Sequence, residues 1–128
     1  MCQGEISEHR LKSSPYLPSY DSYLEVIRSK TASLMSVSCQ SGAIVAGADP
    51  AVEGMLKEYG LHLGLSYQLV DDLLDQDFPV ETDTNRAERA GESVLKAKEA
   101  LNGVEESEYS RSLLDLADYV IDMLPPNR

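Results

Sequence analysis

Residues 59–75 read YGLHLGLSYQLVDDLLD, and this stretch decides the fold. Apolar side chains recur at helical spacing on two of its sides. One row is Leu61, Leu65, Leu69 and Leu73, and the other, which begins upstream, is Val52, Leu56, Tyr59, Leu63, Val70 and Leu74. A helix that is apolar on more than one side packs among several other helices. We therefore predict a central helix over residues 51–78, ended by Pro79.

The rest of the 128-residue chain also shows helical rather than strand periodicity. A long helix is predicted from Asp21, as N-cap, toward Gly47, with the apolar stripe Leu24, Ile27, Leu34, Val37, Ile44 and Val45. Two further helices are predicted, over 86–101 and from about residue 107, the second with Tyr109, Leu113, Leu116, Ala117 and Val120 on one face. We predict one all-α domain of about four or five helices. It divides into an N-terminal helix with a Pro-rich connection (1–20), two core helices (21–78) and acidic C-terminal helices (79–128).

The charge of the chain is strongly negative and is concentrated in its second half. The formal net charge is −11, and residues 71–128 hold 6 basic and 15 acidic side chains, hence −9. Nucleic acids and anionic membrane surfaces are therefore poor partners. No apolar run is long enough to span a bilayer, and Cys2 and Cys39 lack metal-ligand spacing, so we expect a reducing, cytoplasmic setting.

Two aspartates near the end of the predicted central helix occupy an unfavourable position. Asp71 and Asp75 are four residues apart, where like charges repel by roughly 0.2–0.5 kcal/mol, and the helix dipole adds negative charge there. A cation would relieve both penalties, and with Asp72 adjacent the carboxylates suit oxygen-ligated Mg²⁺. The simpler interpretation is a solvated acidic helix end.

Two other polar residues interrupt apolar helix faces. Lys30 lies three residues after Ile27 and four before Leu34, so it falls on the apolar stripe. Its ammonium needs an anionic partner or a path along which the side chain extends to water. Gln68, three residues before Asp71, likewise needs hydrogen-bond partners.

These features together resemble the C-terminal half of the polyprenyl diphosphate synthases, the trans-prenyltransferases. The resemblance follows an ordered series: GEI at 4–6, YLEVIRSKTASL at 23–34, GAIVAGA at 42–48 and the quoted stretch at 59–75. In that family an isoprenoid-synthase-type helical bundle surrounds a deep cavity, and isopentenyl diphosphate is joined to an allylic diphosphate. Two Asp-rich motifs on facing helices hold Mg²⁺ ions there. The resemblance therefore implies that this chain forms a partial bundle of that type.

The resemblance assigns roles to particular residues. It implies that Asp71, Asp72 and Asp75 are metal ligands of the second Asp-rich motif, with Asp71 also catalytic. Lys30 would contact the allylic diphosphate and act in catalysis, and Thr31 and Gln68 would line the same substrate pocket. Charge on a departing diphosphate would then be neutralised by lysine and metal.

The chain also departs from the family pattern. Asp71–Asp72 is its only adjacent aspartate pair, so the first Asp-rich motif is absent, and residues 76–93 lack a glycine-lysine pair. The sequence therefore corresponds to about half an enzyme. We expect it to be inactive alone, to expose apolar surface, and to form a homo-oligomer or a hetero-oligomer with a chain that supplies the other half. The alternatives are a non-catalytic, regulatory prenyltransferase-like subunit that still binds pyrophosphate, and an acidic helical interaction domain with a vestigial site.

The remaining candidates are interpreted as packing residues. His62 on the central helix is more typical of a satisfied packing residue than of a ligand or base. Gly60 and Gly64, about one turn apart, favour close contact with another helix.

Overall fold

The computed structural model describes residues 2–13, 19–75 and 85–124, and every regular element in these ranges is helical. The helices are α1 (Cys2–Ser13), α2 (Tyr20–Ile27), a π-helix (Arg28–Ala32), α3 (Ser33–Val45), α4 (Pro50–Asp75), α5 (Arg86–Ala100) and α6 (Glu108–Asp122). Because α2, the π-helix and α3 form one continuous segment, the bundle has five helical units within the described ranges. The prediction of an all-α fold with four or five helices is confirmed.

The sequence explains where most helices begin and end. The α2 helix is capped by Ser19, whose Oγ accepts a hydrogen bond from the Ser22 amide, so the prediction of Asp21 as N-cap is wrong. After α3, Gly47 adopts a φ of 71°, which ends the helix, and Pro50 starts α4 at the position that proline prefers. The predicted continuation of α4 to Phe78 and its stop at Pro79 lie outside the described residues.

The α4 helix is the centre of the bundle, as its two apolar sides predict. It packs against α3 and the π-helix on one side and against α5 and α6 on the other. Tyr59, Leu63, Leu69 and Val70 are buried along it, and the Tyr59 hydroxyl donates a 2.7 Å hydrogen bond to the carbonyl of Leu113 in α6.

The π-helix makes the predicted apolar stripe wrong beyond Ile27. An α-helix continued from Tyr23 and Ile27 would direct residues 30, 34 and 37 inward. The π-helix holds one extra residue, and the row that faces inward after it lies two positions later than this extrapolation. The inward row, from the last residue of the π-helix through α3, is instead made of small side chains: Ala32, Ser36, Cys39 and Ala43. Its apolar residues lie outside, with exposures of 50% at Leu34, 56% at Val37 and Ile44, and 87% at Val45. We call these four residues the α3 apolar row.

The C-terminal helices complete the described core. Asn85 and Ser107 cap α5 and α6, and the second cap is reciprocal with Ser110. The predicted apolar face of α6 is correct at Ala117 and Val120 but wrong at Tyr109 and Leu116, which are exposed. Within the described ranges, no helix is both long and apolar enough to cross a membrane.

Candidate functional site

The π-helix places Lys30 and Thr31 at the junction of three helices. Its wider turn is closed by a hydrogen bond from the Ser33 amide to the Arg28 carbonyl, and the Ser33 hydroxyl donates to the same oxygen at 2.8 Å. Single π-turns are rare and are frequent at functional sites. Here the turn aims Lys30 at α1 and Thr31 at α4.

Four side chains form a continuous hydrogen-bonded chain between the first long helix and α4. The Thr31 hydroxyl donates to Gln68 Oε1 at 2.7 Å, Gln68 Nε2 donates to Asp72 Oδ1 at 3.0 Å, and the Tyr23 hydroxyl donates to Asp72 Oδ2 at 2.6 Å. Tyr23, Gln68 and Asp72 are buried. The partners that the sequence requires for Gln68 are therefore Thr31 and Asp72.

Asp72 accepts hydrogen bonds from Tyr23 and Gln68 and lies inside the bundle. Burial, together with the hydrogen bond and negative charge of Asp72, raises the pKa of the Tyr23 hydroxyl well above its ordinary range, and Arg86 only partly opposes this. The guanidinium of Arg86 lies 5.1 Å from the centre of the Tyr23 ring. Tyr23 therefore stays protonated and donates to an Asp72 carboxylate that it holds in place.

Lys30 has the anionic partner that its position requires. Its Nζ lies 2.7 Å from Glu8 Oε2 of α1, and both side chains are largely buried. Burial lowers the pKa of Lys30, but the hydrogen bond and charge of Glu8, with Glu5 and Asp72 nearby, outweigh this and raise it. The ammonium is therefore charged and faces a carboxylate from within the chain.

Asp71 and Asp75 occupy the last two described turns of α4, away from this network. Asp71 is half-buried and Asp75 is exposed, and neither has a hydrogen-bond or ion-pair partner among the described residues. Because Asp72 turns inward, no three acidic, histidine or cysteine side chains converge on one point in the described part of the chain. The prediction that all three aspartates bind metal remains a prediction, and two free carboxylates still suit Mg²⁺, which usually takes one or two from a protein.

Glycines set the close spacing of the elements around this site. A Cβ on Gly64 of α4 would lie 2.7 Å from Ala32 Cα, and one on Gly4 of α1 would lie 2.6 Å from Lys30 Cα. Gly60 is equally close to the backbone of Met35, so the predicted role of Gly60 and Gly64 in close helix contact is confirmed. This contact brings Thr31 within hydrogen-bond distance of Gln68.

Sequence reasoning missed Glu8 and Tyr23. Glu8 lies one helical turn after Gly4, at the spacing that places both on the side of α1 facing the π-helix. Tyr23 begins the quoted segment YLEVIRSKTASL, but as an apolar-periodic residue it is typical of a core. The sequence around Glu8 does not predict its contact with Lys30, and the sequence around Tyr23 does not predict its contact with Asp72.

Comparison with known proteins identifies the class. The model of the polyprenyl synthetase family matches residues 1–87. This chain belongs to the polyprenyl synthetase family. The tyrosine-anchored aspartate, the lysine-threonine pair and the glutamine described above all lie within the matched region.

Particular relatives show how much of such proteins the chain represents. It is 43% identical over 75 residues to heptaprenyl diphosphate synthase component 2 of Bacillus subtilis, a match covering 59% of this chain and 21% of that protein. It is 44% identical over 75 residues to octaprenyl diphosphate synthase of Haemophilus influenzae, covering 22% of that protein. The chain thus matches about a fifth of the length of these relatives.

Solved structures extend the likeness over nearly the whole chain. A geranylgeranyl pyrophosphate synthetase from Geoglobus acetivorans superposes with a TM-score of 0.80 at 25% identity, covering 94% of this chain and 54% of that one. A decaprenyl diphosphate synthase from Rhodobacter capsulatus gives a TM-score of 0.82 at 22% identity, covering 97% and 56%, and shows the fold alone. The chain therefore corresponds to about half of a polyprenyl-synthase bundle.

Proposed function

We propose that this chain is the diphosphate-binding half of a polyprenyl diphosphate synthase of isoprenoid biosynthesis, completed by a partner chain that supplies the first Asp-rich motif. The observation that carries the proposal is the Thr31–Gln68–Asp72 hydrogen-bonded chain, with Lys30 beside it. It orders the residues that the family resemblance assigns to diphosphate binding. The two cysteines are free, which fits the reducing, cytoplasmic setting that we infer for such a component.

The residues would divide the work as follows. Lys30 would bind the charged oxygens of an allylic diphosphate or of pyrophosphate, after leaving Glu8. Asp71 and Asp75 would hold Mg²⁺, and Asp72 would fix the orientation of Gln68. When bound, Mg²⁺ supplies Lewis-acid stabilisation of charge on the diphosphate. Thr31 and Gln68 would line the pocket on the α4 side.

The surface supports a need for a partner. The α3 apolar row exposes four aliphatic side chains along one helix. Single exposed apolar residues are ordinary on a protein surface, but a contiguous group of them is typical of an interaction site. The matched Bacillus subtilis protein is named a component of its synthase, which implies a second component there. The solved neighbours have nearly twice the matched length, so a partner of comparable size would restore a bundle.

Thermal unfolding with Mg²⁺ and pyrophosphate tests the proposal. Binding to the folded chain raises the melting temperature by mass action. Asp71→Asn/Asp75→Asn should abolish that shift and raise the melting temperature without ligand, since it removes repulsion at the helix end. Asp115→Asn/Asp122→Asn, two exposed changes on α6, should leave the ligand shift intact. No shift at millimolar Mg²⁺ and pyrophosphate would contradict the proposal.

One observation favours a second function, a non-catalytic subunit or interaction domain with a vestigial site. The Lys30–Glu8 pair already neutralises the lysine within the chain. On this alternative, Lys30→Met should leave pyrophosphate binding unchanged, whereas the proposed site should lose it.

A further inference from the structure

A second concave site lies between α2, α4 and α5. It is a cavity of about 180 Å³. The polar residues that line it are Tyr20, Arg28, His62, Arg89, Glu92, Ser93 and Lys96. None of the residues assigned above to diphosphate or metal binding lines it.

Positive charge is concentrated in this cavity although the chain is acidic. Arg28, Arg89 and Lys96 contribute three cations and Glu92 one anion, in a protein with a formal charge of −11. Arg28 and Lys96 have no hydrogen-bond or ion-pair partner for their side chains among the described residues. The Arg89–Glu92 contact is long, at 3.5 Å, and both side chains are about half exposed. The cavity therefore has cations that no carboxylate of the described chain neutralises fully.

The floor of the cavity is apolar. Leu24, Leu65 and Leu69 line it, and Leu65 and Leu69 are buried. Next to such low-dielectric surface, the attraction between a cation and an anion is stronger than in open solvent. The volume is smaller than the roughly 300–1,000 Å³ of pockets for organic ligands, so the space suits a compact anion.

We propose that this cavity binds a small phosphate-type oxyanion, inorganic phosphate or diphosphate, between Arg28 on one side and Lys96 and Arg89 on the other. Guanidinium groups present paired N–H donors that match phosphate oxygens, and lysine adds a point charge. A multivalent anion engages several of these cations at once, which a single carboxylate does not.

This site is separate from the one that contains Lys30. Residues 62, 65 and 69 form one row on α4, whereas 68, 71 and 75 form another, about a quarter to a third of a turn away. The cavity contains no pair of aspartates or glutamates and needs no Mg²⁺. Its occupation is therefore independent of the proposed function.

Calorimetric titration of the chain with inorganic diphosphate, and separately with phosphate, in EDTA tests the assignment. We expect binding that Lys30→Gln leaves in place and that Arg28→Gln/Lys96→Gln weakens by about tenfold or more, because two charge-assisted contacts are lost. Both residues are exposed, so the double variant should fold, which circular dichroism checks. The matched control is Lys57→Gln/Arg111→Gln, which removes two positive charges outside the cavity and should retain the affinity.

His62 provides a local readout by NMR. Burial lowers its pKa, Glu58 on the same helix raises it, and Lys96 and Arg28 lower it further. Across the cavity it also faces Tyr20 of α2 and Arg89 and Glu92 of α5. A bound anion should raise the His62 pKa, whereas His9, outside the cavity, serves as the internal reference.

Each remaining outcome overturns the assignment. Wild-type chain that gives no binding heat in EDTA excludes the site. If Lys57→Gln/Arg111→Gln weakens anion binding as much as Arg28→Gln/Lys96→Gln does, the binding is general charge attraction. If Lys30→Gln abolishes the binding, the anion occupies the site that contains Lys30. Binding without a change at His62 places the anion elsewhere.

Discussion

The hydroxyl of Tyr23 donates a 2.6 Å hydrogen bond to Oδ2 of Asp72, joining α2 to α4 between residues 49 positions apart. The contact is fully enclosed, and Asp72 accepts a second hydrogen bond from Gln68. Of the three neighbouring aspartates Asp71, Asp72 and Asp75, one is thus part of the packing of the bundle. Asp72 joins the two helices, whereas Asp71 is half-buried and Asp75 is exposed.

Tyr23→Phe should destabilise the chain by about 1–3 kcal/mol, since it leaves a buried carboxylate with one donor fewer. Urea unfolding followed by circular dichroism measures the change. Tyr119→Phe, at an exposed tyrosine of α6, should change stability little. Equal stability of Tyr23→Phe and wild type would show that the buried hydrogen bond contributes nothing net.

Gly64→Ala should destabilise by about 1–3 kcal/mol, because the added methyl group meets the backbone of Ala32 and forces α3 away from α4. Gly91→Ala on α5 is the matched control. Its Cβ would meet no atom within 4 Å, so helix propensity should stabilise that variant by roughly 0.5–1 kcal/mol. Chemical denaturation of both variants checks the opposite signs, and two changes of the same sign would contradict the packing argument.

Glu8→Gln should tighten Mg²⁺-dependent pyrophosphate binding while slightly lowering stability. The variant removes the carboxylate that competes with the ligand for Lys30. We expect an affinity gain of about fivefold, equivalent to roughly 1 kcal/mol. Calorimetry with Mg²⁺ measures it, and Glu106→Gln, which breaks an exposed ion pair with Arg111, is the control. Weaker binding in Glu8→Gln would mean that Glu8 helps to position the lysine.

His62 should make the folded chain less stable as the pH falls. Its pKa is below 6.5 in the folded chain, chiefly because of burial, and near 6.5 when unfolded. The unfolded chain therefore takes up the proton first, and this contribution lowers the free energy of unfolding as the pH falls through 6.5. Relative to His62→Gln, wild type should lose stability between pH 8 and pH 5 in parallel urea titrations. A constant difference over that range would contradict the shift.

The chain alone should not condense isopentenyl diphosphate with an allylic diphosphate. Its sequence has a single adjacent aspartate pair, and a homodimer would repeat the same motif. Holding two reactants together supplies up to about 7–11 kcal/mol of the barrier reduction in well-oriented cases, and the resemblance assigns no residue of this sequence to the second substrate. A radiolabelled assay with Mg²⁺ should give no extended product above a protein-free control. If wild-type chain forms product and Asp71→Ala does not, the interpretation of this chain as half an enzyme is wrong.

The sequence predicts the parts of this fold that depend on local periodicity. The central position of α4 follows from its two apolar rows, and the glycine contacts follow from the spacing of Gly60 and Gly64. The sequence also predicts that Lys30 needs either an anionic partner or a path to water, and in the structure it has the partner, Glu8.

The identity of partners and the register of the first long helix are not predictable in the same way. Glu8 lies 22 residues before Lys30, and Tyr23 lies 49 before Asp72, so only the fold brings each pair together. The π-helix is a change in backbone hydrogen bonding that side-chain periodicity does not encode. Extrapolating an α-helical period through it therefore assigns Leu34 and Val37 to the wrong side.

The π-helix also has a consequence for how this chain tolerates deletion. Because it holds one residue more than a regular α-helix, loss of one residue within it would let residues 20–45 close as an unbroken α-helix without changing which sides of α2 and α3 face inward. The bundle would survive such a deletion. Lys30 and Thr31, however, would lose the widened turn that aims them at α1 and α4. The extra residue of the π-helix is thus not needed for the helices to pack, but it is needed to place Lys30 and Thr31.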